Sequence, residues 1–203
     1  MDFIAPTWKD IHLIALKVAK TILKSRFKPD IIVGVFRGGW IAAKLISDAI
    51  GVHELGALEV KFYTEIGATS KKPIVTKPLV GDVTNKKVLL VDDVADTGRT
   101  LQVALEEVEL HGPKIIRTAT LYVKPRSIFI PDYYGETTSA WIIFPWEVRE
   151  VLEELAKRKK IRSKEELFDM ARNVGITDSQ MLNELSEIMF TKLTGSDKRE
   201  YSQ

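Results

Sequence analysis

The stretch from Val88 to Thr100 leaves this chain few ways to fold. Val88-Leu89-Leu90-Val91 is a short unbroken apolar run, so Lys87 to Val91 reads as a strand buried on both faces. Two carboxylates, Asp92 and Asp93, follow at its C-terminal end, where open α/β sheets bind ligands. Asp92 to Gly98 reads as a loop, and Arg99 to His111 as a helix closed by Gly112-Pro113. A helix start presents unpaired N–H groups and the positive end of the dipole, which suit a phosphate. Gly98 lets the backbone come close, and the Thr97 and Thr100 hydroxyls can donate to phosphate oxygens. The segment reads as a seat for a phosphate head with a polyhydroxyl body beside it. Asp92 and Asp93 would face those hydroxyls or a metal bound to them. Neither the Gly-x-x-x-x-Gly-Lys-Ser/Thr spacing of a P-loop nor the Gly-x-Gly-x-x-Gly of a dinucleotide site is present.

The rest of the chain up to Glu147 alternates helical and strand patterns. Thr7 can cap a helix with Ile11, Ile14, Ala15, Val18 and Ile22 on one face. Ile31 to Val35 reads as a buried strand, Arg37-Gly38-Gly39 as a turn, and Ile41 to Ile50 as a helix stopped by Gly51. Leu58 to Tyr63 and Ile116 to Val123 read as strands, and Trp141 to Phe144 as a short apolar run closed by Pro145. Residues 64–85 break the pattern with Gly67, Pro73, Pro78 and Gly81, and read as a long polar loop. Strands alternating with helices predict an α/β fold with a mainly parallel sheet flanked by helices. After Glu147 the pattern is helical only, over Val148 to Lys160, Lys164 to Asn173 and Asp178 to Leu193. Ser163-Lys164-Glu165-Glu166 and Thr177-Asp178-Ser179-Gln180 fit capping boxes. The predicted division is a core of residues 1–146 and a helical extension of 147–203.

Composition narrows the chemistry. The chain has no cysteine, so thiolate catalysis, disulfides and cysteine-based zinc sites are excluded. His12, His53 and His111 are too scattered for a histidine metal site, and a formal net charge of +2 gives no pull toward nucleic acid or membrane. No window has the apolar length of a membrane span, and Met1 to Pro6 lacks the pattern of a secretory signal, so the expected location is the cytoplasm.

Asp92-Asp93-Val94-Ala95-Asp96-Thr97-Gly98-Arg99-Thr100 resembles the phosphoribosyl-pyrophosphate (PRPP) loop of the type I phosphoribosyltransferases. A receiver domain also ends a buried strand in two acids, but has no need of the Asp-Thr-Gly-x-Thr that follows. The resemblance implies a type I phosphoribosyltransferase fold. It implies that Ala95, Asp96, Thr97, Gly98, Arg99 and Thr100 cradle the 5′-phosphate. Asp92 and Asp93 would hold the ribose hydroxyls, with Asp93 also facing Mg2+, and Asp96 would accept a proton from the base. Val35-Phe36-Arg37-Gly38-Gly39 resembles the family's pyrophosphate loop, in which Arg37 and Gly38 would grip the leaving group and the Phe36–Arg37 bond would be cis. Residues 64–85 resemble the mobile loop that closes over the site.

Leu121 to Pro125 and Trp141 to Glu147 are similar to the base-binding segments of xanthine–guanine and hypoxanthine–guanine enzymes. By that resemblance Lys124 reaches the purine 6-position, Trp141 stacks on the ring, and the Ile142 backbone meets its edge. One position departs: the acid that helps read C2 in the xanthine–guanine enzymes is Ile143 here. Isoleucine cannot accept from a 2-amino group, which favours hypoxanthine or adenine, and Lys124 pulls toward the 6-oxo base. The implied reaction joins a purine base to PRPP, giving the nucleoside monophosphate and pyrophosphate, in a homodimer. The alternatives are a guanine, xanthine or non-purine acceptor, or a PRPP-sensing regulator that binds nucleic acid through its extension. Against the regulator, the last predicted helix carries Asp178, Glu184 and Glu187, which phosphates would repel.

Overall fold

A computed structural model of the chain describes residues 2–64 and 71–196. The elements in order are β1 (Phe3–Ile4), α1 (Trp8–Lys24), β2 (Ile31–Phe36), α2 (Gly38–Ile50), β3 (Leu55–Thr64), β4 (Lys71–Val80), β5 (Lys87–Ala95), α3 (Arg99–Glu109), β6 (Ile115–Val123), β7 (Tyr133–Thr137), β8 (Trp141–Ile142), α4 (Val148–Lys159), α5 (Lys164–Asn173) and α6 (Ser179–Ser196). They form two compact units. One is Lys9–Ser139; the other joins the N-terminal segment through Trp8 to the chain from Ala140 onward.

The first unit is a sheet of order β4-β3-β2-β5-β6-β7. All its neighbours are parallel except β3 and β4. Alternation along β2 explains the layering. Ile31, Val33 and Val35 point to one face, where they share a core with Val88 and Leu90 of β5 and with Leu101, Ala104 and Val108 of α3. Gly34 points to the other face, where a Cβ would lie 2.9 Å from the Trp40 backbone of α2. Each fully enclosed Val, Leu or Ile adds about 1.5–3 kcal/mol, so this double-sided burial is what makes β2 and β5 the centre of the sheet.

The elements predicted from periodicity lie where the sequence puts them, β1 and β7 are additions to them, and three expectations change. β5 runs on to Ala95 and not only to Val91, because β6 pairs with it as far as Val123, so Asp92 and Asp93 sit within the strand. α2 begins at Gly38, leaving no separate turn before it. Residues 71–80, predicted as loop, form β4. Proline cannot donate to a ladder, and β4 accommodates Pro73 and Pro78 because it is an edge strand. Its register with β3 also shifts near Glu59. The centre of the predicted mobile loop, residues 65–70, lies outside the described residues.

In the second unit β1 and β8 form a two-stranded parallel pair. Its helices pack around Val148, Leu152, Leu167, Met170, Leu182 and Met189. Ser163 caps α5 by accepting the Glu166 N–H, as predicted. The cap of α6 is Asp178 and not Thr177, since Asp178 Oδ1 accepts the Met181 N–H at 2.9 Å. No helix among the described residues is long and apolar enough to cross a membrane.

Candidate functional site

The parallel strands β2 and β5 deliver their C-terminal ends side by side, and each leads directly toward a helix. Asp92 is buried at 7% exposure, and its Oδ1 accepts the Asp93 N–H at 2.9 Å. Burial first, and then the neighbouring Asp92 carboxylate, push Asp93 well above the usual carboxylate range. The first turn of α2 lies against this pair. A Cβ on Gly39 would be 2.7 Å from Asp92 Oδ1 and 2.8 Å from the Val91 carbonyl, so only glycine allows this approach. Arg37 occupies the N-cap position of α2, its side chain exposed, and the Phe36–Arg37 peptide is cis, as the resemblance implied. Arg37, Gly38 and the two acids are thus brought to one edge of the sheet.

The turn from β5 into α3 is wider. Gly98 is the N-cap of α3 with φ +80°. Thr97 Oγ1 accepts the Arg99 N–H at 3.4 Å, and the Thr97 side chain is exposed. This turn is braced by the chain that follows β6. The Lys124 N–H donates to the Ala95 carbonyl at 3.0 Å, and the Ile128 N–H to the Thr97 carbonyl at 3.1 Å. Phe129 and Ser127 pack so closely on Gly98 that a Cβ there would lie 2.7 Å from both. Arg126 donates to Asp96 from Nε at 3.1 Å and Nη2 at 2.6 Å.

Lys124 is buried at 5% exposure. Burial lowers its pKa and nearby Arg126 lowers it further, while Asp96 acts in the opposite sense. The first unit therefore gathers Arg37, Gly38, Asp92, Asp93, residues 95–100 and Lys124. Arg126 escaped the sequence reading. Its one signal is its place in the Lys124-Pro125-Arg126 turn, two residues past the lysine that was singled out.

Trp141 and Ile142 belong to the second unit. Trp141 is 44% exposed. The Trp141 and Ile143 N–H groups donate to Asp2 and Ile4 carbonyls, both at 2.8 Å. Backbone groups alternate sides along a strand, so the N–H and C=O of Ile142 point away from β1. Ile143 is fully buried in the core of the helices, where its side chain packs with Leu152 and Leu167.

No group of three or more metal-ligating side chains occurs among the described residues. The Asp92–Asp93 pair nonetheless suits a hard cation that keeps most of its waters. It offers oxygen donors only, and a cation would offset the burial and the neighbouring Asp92 charge that raise Asp93.

The family model described as the phosphoribosyl transferase domain matches residues 7–153. A xanthine-guanine phosphoribosyltransferase of Gluconobacter oxydans is 30% identical over 143 residues, covering 70% of this chain and 82% of that protein. A bifunctional protein PyrR of Caldicellulosiruptor saccharolyticus is 38% identical over 98 residues, or 44% of this chain and 54% of that one. The crystal structure of a purine phosphoribosyltransferase from Pyrococcus horikoshii superposes with a TM-score of 0.66 at 42% identity, covering 72% of this chain and 95% of that one.

Proposed function

We propose, because this chain belongs to the phosphoribosyl transferase family and has the type I fold of its purine members, that it converts PRPP and a purine unsubstituted at C2 into the nucleoside monophosphate and pyrophosphate. The observation that carries the proposal is the meeting of the Arg37 turn, the Asp92–Asp93 pair and the Gly98 turn at one sheet edge.

Ala95 to Thr100 seat the 5′-phosphate on the start of α3, with backbone N–H groups as donors. Asp92 and Asp93 hold the ribose hydroxyls. Arg37 and Gly38 grip the pyrophosphate, where a guanidinium fork suits phosphate oxygens. Asp93 would hold Mg2+, which when bound would supply positive charge to offset the negative charge of the leaving pyrophosphate. As the C1–O bond to pyrophosphate breaks and the C1–N bond forms, Asp96 accepts the proton that the base nitrogen loses. Fixed charges around the departing anion supply much of the acceleration.

Trp141 stacks on the base and the outward backbone of Ile142 meets its edge. Lys124 donates to the 6-position, which suits hypoxanthine better than adenine. The burial of Ile143 supports a site that does not bind a 2-amino group through that side chain, since the residue is committed to the helical core.

The test is a spectrophotometric assay with PRPP, Mg2+ and each of hypoxanthine, adenine, guanine and xanthine. Hypoxanthine or adenine should give a kcat/KM at least about tenfold above the other two. Equal or better use of guanine or xanthine would overturn the C2 assignment. The alternative reading is a PRPP sensor that binds nucleic acid through its helical extension. That role calls for salt-sensitive RNA or DNA binding with negligible turnover in the same assay.

A further inference from the structure

Asp96 is held in a lopsided way. Both Arg126 donors, Nε and Nη2, end on the same carboxylate oxygen, Oδ1, at 3.1 and 2.6 Å. Among the described residues Oδ2 accepts no hydrogen bond. The guanidinium is itself carried on a stiff support. The Ser127 N–H closes a turn onto the Lys124 carbonyl at 2.9 Å, and Ser127 Oγ donates to the Phe129 carbonyl at 2.7 Å. The same segment is bonded to Ala95 and Thr97 on either side of Asp96. Arg126 and Asp96 are 61% and 40% exposed, and ion pairs this open to water add little to stability. A brace this elaborate around a pair of such small stabilising value calls for another role.

The geometry points to Arg126 as a positioning residue for Asp96. It fixes the carboxylate through Oδ1 and leaves Oδ2 as the oxygen that receives the proton from the base. It also keeps the carboxylate from collapsing onto Lys124, whose ammonium feels both Asp96 and Arg126. Arg126 so preserves two groups that face the base, one accepting and one donating. This inference rests on the proton-accepting role proposed for Asp96.

The test is a double-mutant cycle of Arg126→Gln and Asp96→Asn in the full chain, read as kcat, the KM for PRPP, and the melting temperature. In the wild-type background Arg126→Gln should lower kcat about tenfold or more, with the PRPP KM within about twofold and melting nearly unchanged. In the Asp96→Asn background the same change should cost less than about twofold, because its target is gone. Arg126→Lys, which keeps one charged donor, should recover part of the loss. Equal losses in both backgrounds, or an undiminished kcat, would overturn the role of Arg126 alone. Full turnover in Asp96→Asn would remove the proton acceptor and this inference with it. A wild type inert toward every purine would overturn the proposed function itself.

Discussion

The turns that end β2 and β5 leave the same edge of the sheet and face the two phosphate groups of one proposed substrate, yet they are built differently. The β2–α2 turn has almost no length: β2 ends at Phe36 and the helix begins at Gly38. Its shape comes from backbone packed on backbone, with Gly39 against Asp92 and the Val91 carbonyl. The β5–α3 turn spans several residues, and its shape comes from a separate segment, 124–129, that holds it by hydrogen bonds and by contact with Gly98. A short turn can be specified by its own glycines. A wide one needs a tertiary brace, and the brace offers places for side chains such as Arg126 to act.

The sharpest way to break this contrast is Gly39→Ala. The methyl would meet two backbone atoms, the Asp92 Cα and the Val91 carbonyl oxygen, at 2.8 Å, and the Oδ1 of the buried Asp92 at 2.7 Å. A loss of about 3 kcal/mol, seen in denaturant unfolding, and a loss of most PRPP binding are expected. Gly98→Ala comes next. Its left-handed φ of +80° costs about 1–2 kcal/mol for a side chain, and the crowding by Phe129 adds to this. Only one of the three atoms the new methyl would meet is backbone, the Phe129 N, against two at Gly39, so the total should stay below that of Gly39→Ala. If the two rank the other way, backbone packing is not what distinguishes the turns.

The smallest effect sharpens the picture of the brace. Asp132 anchors its far end by accepting from the Thr118 N–H at 2.8 Å, from Thr118 Oγ1 at 3.0 Å and from Arg117. Burial raises the Asp132 pKa, but the Thr118 and Arg117 bonds outweigh this and hold it below its usual value. A carboxylate depressed in the folded state stabilises above its unfolded pKa of about 3.9, and that contribution fades as pH falls through the lower folded value. Asp132→Asn should therefore cost about 1 kcal/mol at neutral pH, and the gap from wild type should close below about pH 4. A gap in melting temperature that persists at pH 2–3 would show that shape, and not charge, is what Asp132 contributes.

Much of the site was legible because its residues are contiguous. Asp92, Asp93 and Asp96 to Thr100 form one run whose residue types match a phosphate seat at a helix start. Arg37 and Gly38 were legible for the same reason. Arg126 was not, because a lone arginine in a turn has no pattern, and its partner lies thirty positions away in the chain. β4 was misread because its prolines signal loop, and whether a proline is tolerated depends on lying at a sheet edge. β7 gave no signal either, since Gly135 interrupts it, and the space a side chain would need there is filled by Ile14 and the Leu121 carbonyl.

Sequence alone determined what local pattern can encode: the buried central strands, the amphipathic helices, the Ser163 cap of α5, and the order of chemical groups along the phosphate loop. These depend on periodicity and on neighbours a few residues apart. Tertiary structure alone decided how far β5 continues, which strand could hold prolines, that Ile143 lies within the helical core, and which oxygen of Asp96 is held. Those outcomes depend on groups distant in the chain meeting in space, where burial and hydrogen-bond geometry, and not residue type, set the result.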